Sequence, residues 1–414
     1  MFNCSDTLLK TCVLTLVLLT TVGQASAFSY GVETGTTLYG YETAGEVVAE
    51  TYTPVRFDIS HKLGGHELSV IANGRIRRDF GTDSDVQGKV YYGYFQFQTS
   101  KKTIRARFGR QYINEGAAAG TIDGLSVSFG QSKKWDVNLS GGGEVSYRFG
   151  KFDYDTAKTN FLYSVHGAVT LPLLPFEVRV GTGFSGDKTE GSIDKQTLSF
   201  EAREKPLKNL TFNQEIHWDN IKKEVSYQFY GIRYRPVDRL RLYGSFRYSQ
   251  PRISNASILS VFAHDTNQVI KGGGELVVND WMSVSSEYST TVNRPRPGCR
   301  TKVGASNWFD YVNVYYGGMF GKAPERFYGG FTNAEFPRPL SFLEKLSAGT
   351  VFEYIKYKYD ESQGLTDTDA LMFDVHGNYA VFKFLNATAG FQTLKNRERS
   401  HDVRGYLEIG VTLG

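Results

Sequence analysis

The chain has 414 residues, 22% of them charged and 14% aromatic, with 47 basic against 43 acidic side chains and a formal net charge of +4. A balance so near neutral, with no run of five basic residues, excludes a nucleic-acid surface built on charge. Cys4, Cys12 and Cys299 are too few for a disulfide scaffold, and no Cys-x-x-Cys-His is present to attach a c-type haem.

Residues 1–27 read as a secretory signal peptide. Lys10 supplies the basic flank, residues 12–22 the apolar stretch, and Ala25-Ser26-Ala27 the small residues for cleavage. A stretch this short cannot cross about 30 Å of hydrocarbon as a helix. With the leader gone, Cys299 stands alone in Arg296-Pro297-Gly298-Cys299-Arg300, beside a loop, as an unpaired thiol or a link to a partner.

From Phe28 onward, alternating segments recur between polar breaks. Ile104, Ala106 and Phe108 alternate with Arg105 and Arg107; Phe176, Val178 and Val180 with Glu177 and Arg179; Leu198, Phe200 and Ala202 with Ser199, Glu201 and Arg203. Leu240, Leu242, Phe246 and Tyr248 alternate with Arg241, Tyr243, Ser245 and Arg247, and Leu371, Phe373, Val375 and Tyr379 with Asp374, His376 and Asn378. A period of two is the strand period, so one face meets an apolar medium and the other water. Arginine on a lipid face costs about 2–4 kcal/mol at mid-membrane, which sends these charges inward. The mean hydropathy of −0.34 fits, because only alternate residues need be apolar.

Short turns are expected near residues 61–65, 100–102, 131–134, 172–175, 205–208, 236–239, 279–280, 307–310, 338–344 and 382–385. More polar loops fall between them, at 80–88, 143–159 and 250–267. Short turns at one end and long loops at the other are the asymmetry of outer-membrane barrels. The expected fold is therefore all-β: a single closed antiparallel transmembrane β-barrel of 18–22 strands over residues 28–414, without a plug domain. Such a barrel is too wide for its own side chains to fill, so water, infolded loops or another protein must occupy it.

Residues 406–414 alternate well and resemble the closing strand that the barrel-assembly machinery reads, except that they end in Gly414 and not an aromatic residue. Arg107-Phe108-Gly109-Arg110-Gln111, followed by Gly120-Thr121-Ile122-Asp123-Gly124-Leu125-Ser126-Val127-Ser128, resembles the Gly-Arg-Gln … Asp-Gly-Leu hairpin of porin-like outer-membrane families. Those families include channels for ions, small solutes and exported polysaccharide. The strand pattern as a whole also resembles the porin-like component of porin–cytochrome conduits, in which a barrel sheathes multihaem cytochromes.

Arg110 and Asp123 are placed to pair across this hairpin, either as a salt bridge fixing register or, with Arg105 and Arg107, as a pore eyelet. The small segment Ala117-Ala118-Ala119-Gly120 between them can tuck inward as a constriction. Glu177, Arg179, Glu201, Arg203, Arg241 and Arg247 complete the expected pore lining. The pairs Glu215/His217 and Asp374/His376 lie two apart on one strand and read as wetted polar groups; no zinc spacing and no catalytic set is present, so neither cofactor nor enzyme activity is expected. The glycines at 141–143 and 272–274 mark tight packing within strands. The expected function is passive passage of small hydrophilic or ionic solutes across a bacterial outer membrane. Lipid and lipopolysaccharide would lie outside the barrel. The alternative is a sheath around periplasmic and surface multihaem cytochromes.

Overall fold

The computed structural model describes residues 28–413 except 44–45, 81–85, 132–133, 146, 149–150, 153–159, 174–175, 190–191, 251–265, 293–298, 310–311, 323–325, 337–344, 358–367 and 396–401. The leader expected at 1–27 lies outside the described residues. All described elements are strands. The first eight are β1 (Phe28–Thr43), β2 (Glu46–Leu63), β3 (His66–Asp79), β4 (Val86–Gln98), β5 (Ile104–Glu115), β6 (Ala118–Gln131), β7 (Trp135–Glu144) and β8 (Tyr147–Arg148). Next come β9 (Lys151–Phe152), β10 (Asn160–Leu173), β11 (Phe176–Thr189), β12 (Ser192–Leu207), β13 (Leu210–Asp219), β14 (Glu224–Val237), β15 (Leu240–Ser249) and β16 (Asn267–Asn279). The last are β17 (Met282–Thr291), β18 (Cys299–Trp308), β19 (Asn313–Lys322), β20 (Arg326–Phe336), β21 (Leu346–Tyr357), β22 (Thr368–Phe382), β23 (Leu385–Lys395) and β24 (Asp402–Leu413).

Twenty-two of these strands form one antiparallel meander, in which β7 passes directly to β10 and β24 pairs back onto β1. That last pairing runs from Val32↔Leu413 to Tyr41↔Arg404 and closes the barrel. Closure satisfies the edge groups that an open sheet would leave bare in hydrocarbon. The two-residue strands β8 and β9 pair only with each other. The ten connections at the end carrying both termini coincide with the ten turns expected from the sequence, so the strand count falls at the upper limit of the expected range. Gly64 and Gly65, at φ 57° and 82°, make the tight β2–β3 turn in a conformation glycine adopts without strain.

Exposure separates the two faces. Phe95, Phe108, Phe200 and Phe320 stand 53–66% exposed, whereas Ser140, Ser164, Ser185, Thr197, Ser199, His217 and Ser283 on the other parity are buried. Side chains diverge from the convex side of a closed sheet and converge on the concave side, which assigns the polar set to the inside. The apolar set forms an exposed belt suited to hydrocarbon. Its aromatic members continue to the short-turn end, where Trp281 stacks with Phe309 and Phe382 with Phe384.

Candidate functional site

One hairpin leaves the wall. The ladder between β4 and β5 stops at Gly93↔Arg110, and that between β6 and β7 stops at Ile122↔Glu144. Beyond those points, apart from one bond from Val145 N–H to Thr121 O at 2.8 Å, β5 and β6 continue in their mutual ladder up to Glu115↔Ala118. At the fork Gly109 lies opposite Gly124. Gly109 has φ +126°, and a Cβ there would collide with Gly93 O, so both the bend and the close approach require glycine. Gly124 packs on Gly141 and Gly142 of β7, and within the glycine run at 141–143 it is Gly142 that the close approach requires, because its Cβ would lie 2.5 Å from Asp123 O.

Gln111, fully buried, completes the fork on the inner side. Its amide donates to the carbonyls of Arg107 and Gly124, both at 3.3 Å, and its oxygen accepts from Ser126 Oγ at 2.6 Å. These bonds replace part of the ladder lost where the hairpin departs. Arg110 and Asp123 complete it on the other side. Arg110 Nε and Nη2 donate to the two Asp123 oxygens at 2.7 and 2.6 Å, and Nη1 donates to Val90 O at 3.3 Å.

The tip then docks on the inner wall of β10–β12. Ile113, Ala118 and Ile122 bury with Leu162 of β10 as a small apolar cluster. A Cβ added at Gly116 would lie 3.4 Å from Ser199 Cβ and 3.2 Å from His166 Cδ2, so the tip has come to rest on the wall. Glu115 lies beside Ser164 and His166, and His166 in turn bonds Glu201 at 2.5 Å. Tyr112 and Asn114, on the opposite face of the hairpin, are exposed toward the open lumen. The expectation that residues 117–120 tuck inward therefore describes the geometry, although the whole span 111–121 moves and not the tip alone.

The four-residue eyelet does not assemble. Arg105 and Arg107 share the inner face, where Arg107 Nε donates to Gln96 at 2.9 Å and its guanidinium lies 5.2 Å from the Tyr94 ring. Arg110 and Asp123 have the parity of Phe108 and Leu125 and pair at the fork. The reason is plain alternation: 105 and 107 cannot share a face with 110 on an unbulged strand. The salt-bridge alternative is the one the geometry fits.

The remaining candidates fall on the inner parity. Arg179 bonds Asp136 of β7 and, at 3.2 Å, Thr170 of β10, tying three adjacent strands. Arg203 lies opposite Asn213 and Arg179, and Arg241 donates to Glu275 at 3.1 Å. Arg247 faces Val269 and Phe229 in the register. The side chain of Glu177 lies outside the described residues. His217 and His376 bond their same-strand carboxylates Glu215 and Asp374 at 2.7 and 2.8 Å.

Cations the sequence reading did not single out extend this row. Lys271 bonds Glu287 at 2.6 Å, Arg300 approaches the same carboxylate at 3.5 Å, and Lys302 sits 4.3 Å from the Phe331 ring. Tyr243, Tyr315 and Phe327 line a wall cavity of about 660 Å³ with Glu287, Arg300 and Lys302. Across the barrel Arg75 stacks 4.7 Å from the Tyr52 ring, and Arg77 and Tyr52 both bond the buried Glu50. Their signal was available: each is a charged residue at the polar parity of its strand.

No family model and no curated protein matches the chain. Among solved structures it is similar to the Pseudomonas aeruginosa protein OpdQ, with a TM-score of 0.48 at 10% identity, covering 94% of this chain and 99% of that one. It is similar to P. aeruginosa OccK5 (OpdH) to the same extent, with a TM-score of 0.48, 11% identity and the same coverage of each chain. P. aeruginosa OccD3 (OpdP) gives a TM-score of 0.46 at 11% identity over 93% of this chain and 92% of that one.

Proposed function

We propose that the protein is a channel of the bacterial outer membrane for passive passage of small hydrophilic or ionic solutes, delivered there by its cleaved leader. The docked hairpin is the observation that carries this reading. It narrows a lumen whose wall is otherwise polar and charged, and a barrel built only to enclose another protein has no use for it. Arg105, Arg107, Arg179, Arg203, Arg241 and Arg247, with Glu201 and Glu177 among them, serve as the lining. Fixed wall charges of this kind select ions by sign, and the excess of arginine favours anions. Lipid and lipopolysaccharide cover the apolar belt.

A second reading keeps one observation on its side. A barrel of 22 strands has room for a protein inside it, as a sheath for multihaem cytochromes requires. Purification in mild detergent, with haem staining and mass spectrometry of whatever accompanies the barrel, separates the two. The channel reading expects no haem protein and discrete conductance steps in a planar bilayer. It also expects anion preference to fall when Arg105 and Arg107 are both changed to Ser. Stoichiometric haem protein with poor conductance in that complex would reject it.

A further inference from the structure

The hairpin's hold on the wall is small and specific. Among the described residues its buried apolar part is Ile113, Ala117, Ala118 and Ile122, with Leu162 of β10 beneath, and its polar part is Glu115 against Ser164 and His166. Glu115 Oε2 and His166 Nδ1 are buried without a hydrogen-bond partner among the described residues. His166 thus stands between two carboxylates on different elements, Glu115 on the hairpin and Glu201 on β12. Asp136, Arg179, His217, Arg105 and Arg107 surround the group from β7, β11, β13 and β5. At the other end the hairpin meets the wall through Gly109 and Gly124, the one pair of facing glycines along β5 and β6.

We propose that Glu115 and His166 are positioning residues that latch the β5–β6 hairpin across the lumen, and that this latch sets the size limit of the channel. The physical reason is the poverty of the rest of the interface. Beyond the fork the span 111–121 is held by two strands' mutual pairing, one backbone bond from Val145 N–H to Thr121 O at 2.8 Å, a small apolar contact and this polar contact. Two-stranded ribbons are marginal in water, so loss of the latch frees the span to swing about its glycine base. This inference rests on the channel reading for its consequence, but the docking itself can be measured without any transport.

The geometry supplies the probe. The 3.4 Å between a Cβ at Gly116 and Ser199 Cβ is close to the separation a disulfide spans, and the strain that φ 57° puts on a cysteine at 116 is common to every variant compared. In a full-length chain with Cys299→Ser, the pair Gly116→Cys and Ser199→Cys should cross-link rapidly under mild oxidant in micelles. Adding Glu115→Gln or His166→Gln should slow that cross-link. In liposomes the same latch variants should lose the exclusion of neutral polyethylene glycols that the wild-type pore rejects, and forming the cross-link in the Glu115→Gln background should restore it. A purely structural role for Glu115 would not be rescued by tying the tip down. Should Glu115→Gln fail to fold, judged by heat-modifiable migration, the His166 variant carries the same test. Cross-linking at the wild-type rate in a folded latch variant overturns the latch, whatever the pore conducts. Normal cross-link chemistry in a protein that passes no solute overturns the channel reading and with it the size-limit role.

Discussion

Gly124 has an ordinary backbone conformation, yet no side chain fits there. A Cβ would strike Gly141 O and lie 2.6 Å from Gly142 Cα, where β6 runs against β7 beside the departing hairpin. Gly124→Val should therefore lower stability by about 1–3 kcal/mol through overpacking. Gly40, with nothing within 4 Å of its Cβ position, should tolerate Ala with little change. Urea midpoints of the folded protein in lipid vesicles would compare the two, and equal midpoints would mean that the fork is not under close packing. The residue scale is also where the sequence was most misleading. Alternation itself separates Arg110 from Arg105 and Arg107, but the proximity of three arginines in six positions suggested a cluster. A charge count along the chain ignores parity; the strand does not.

Among the elements, the wall strands were readable and the hairpin only partly so. Each wall strand meets hydrocarbon on one side and water on the other, so its sequence records the environment residue by residue. The hairpin meets water and protein on its two faces, so Gln111, Ile113 and Glu115 show no such contrast. Its departure depends on where neighbouring ladders stop, which is a property of β4 and β7 as much as of β5 and β6. The small residues 117–120 signal the tuck in the sequence, and the glycines 109 and 124 mark its base. Closure is the other property of elements that no single strand carries. Deleting residues 402–413 removes β24 and bares one edge each of β1 and β23. Each unsatisfied backbone group in hydrocarbon costs several kcal/mol, so the truncated chain should yield no heat-modifiable folded species in vesicles. Recovery of a compact, protease-resistant barrel from that chain would show that β1 and β23 can re-pair without it.

For the molecule as a whole, the decisive property is which face meets lipid, and neighbouring positions in the middle of β24 test it. Leu407 is 47% exposed and lies beside Leu38, itself 43% exposed, on the apolar parity. Glu408 lies opposite Thr37, which is buried on the polar parity. An arginine at Leu407 must leave water for hydrocarbon, a cost of about 2–4 kcal/mol at mid-membrane depth. An arginine at Glu408 stays beside lumen water and should leave the urea midpoint in vesicles nearly unchanged, while the reversal of one wall charge moves ion preference further toward anions. Both changes introduce the same side chain one residue apart on the same strand, so chain length and the propensity of the new residue cannot explain a difference between them, and net charge, which rises by two for Glu408→Arg and by one for Leu407→Arg, would order them the other way. Only the direction of the side chain can. A midpoint that falls for Glu408→Arg and not for Leu407→Arg would invert the barrel's faces, and with them the assignment of every pore-lining residue.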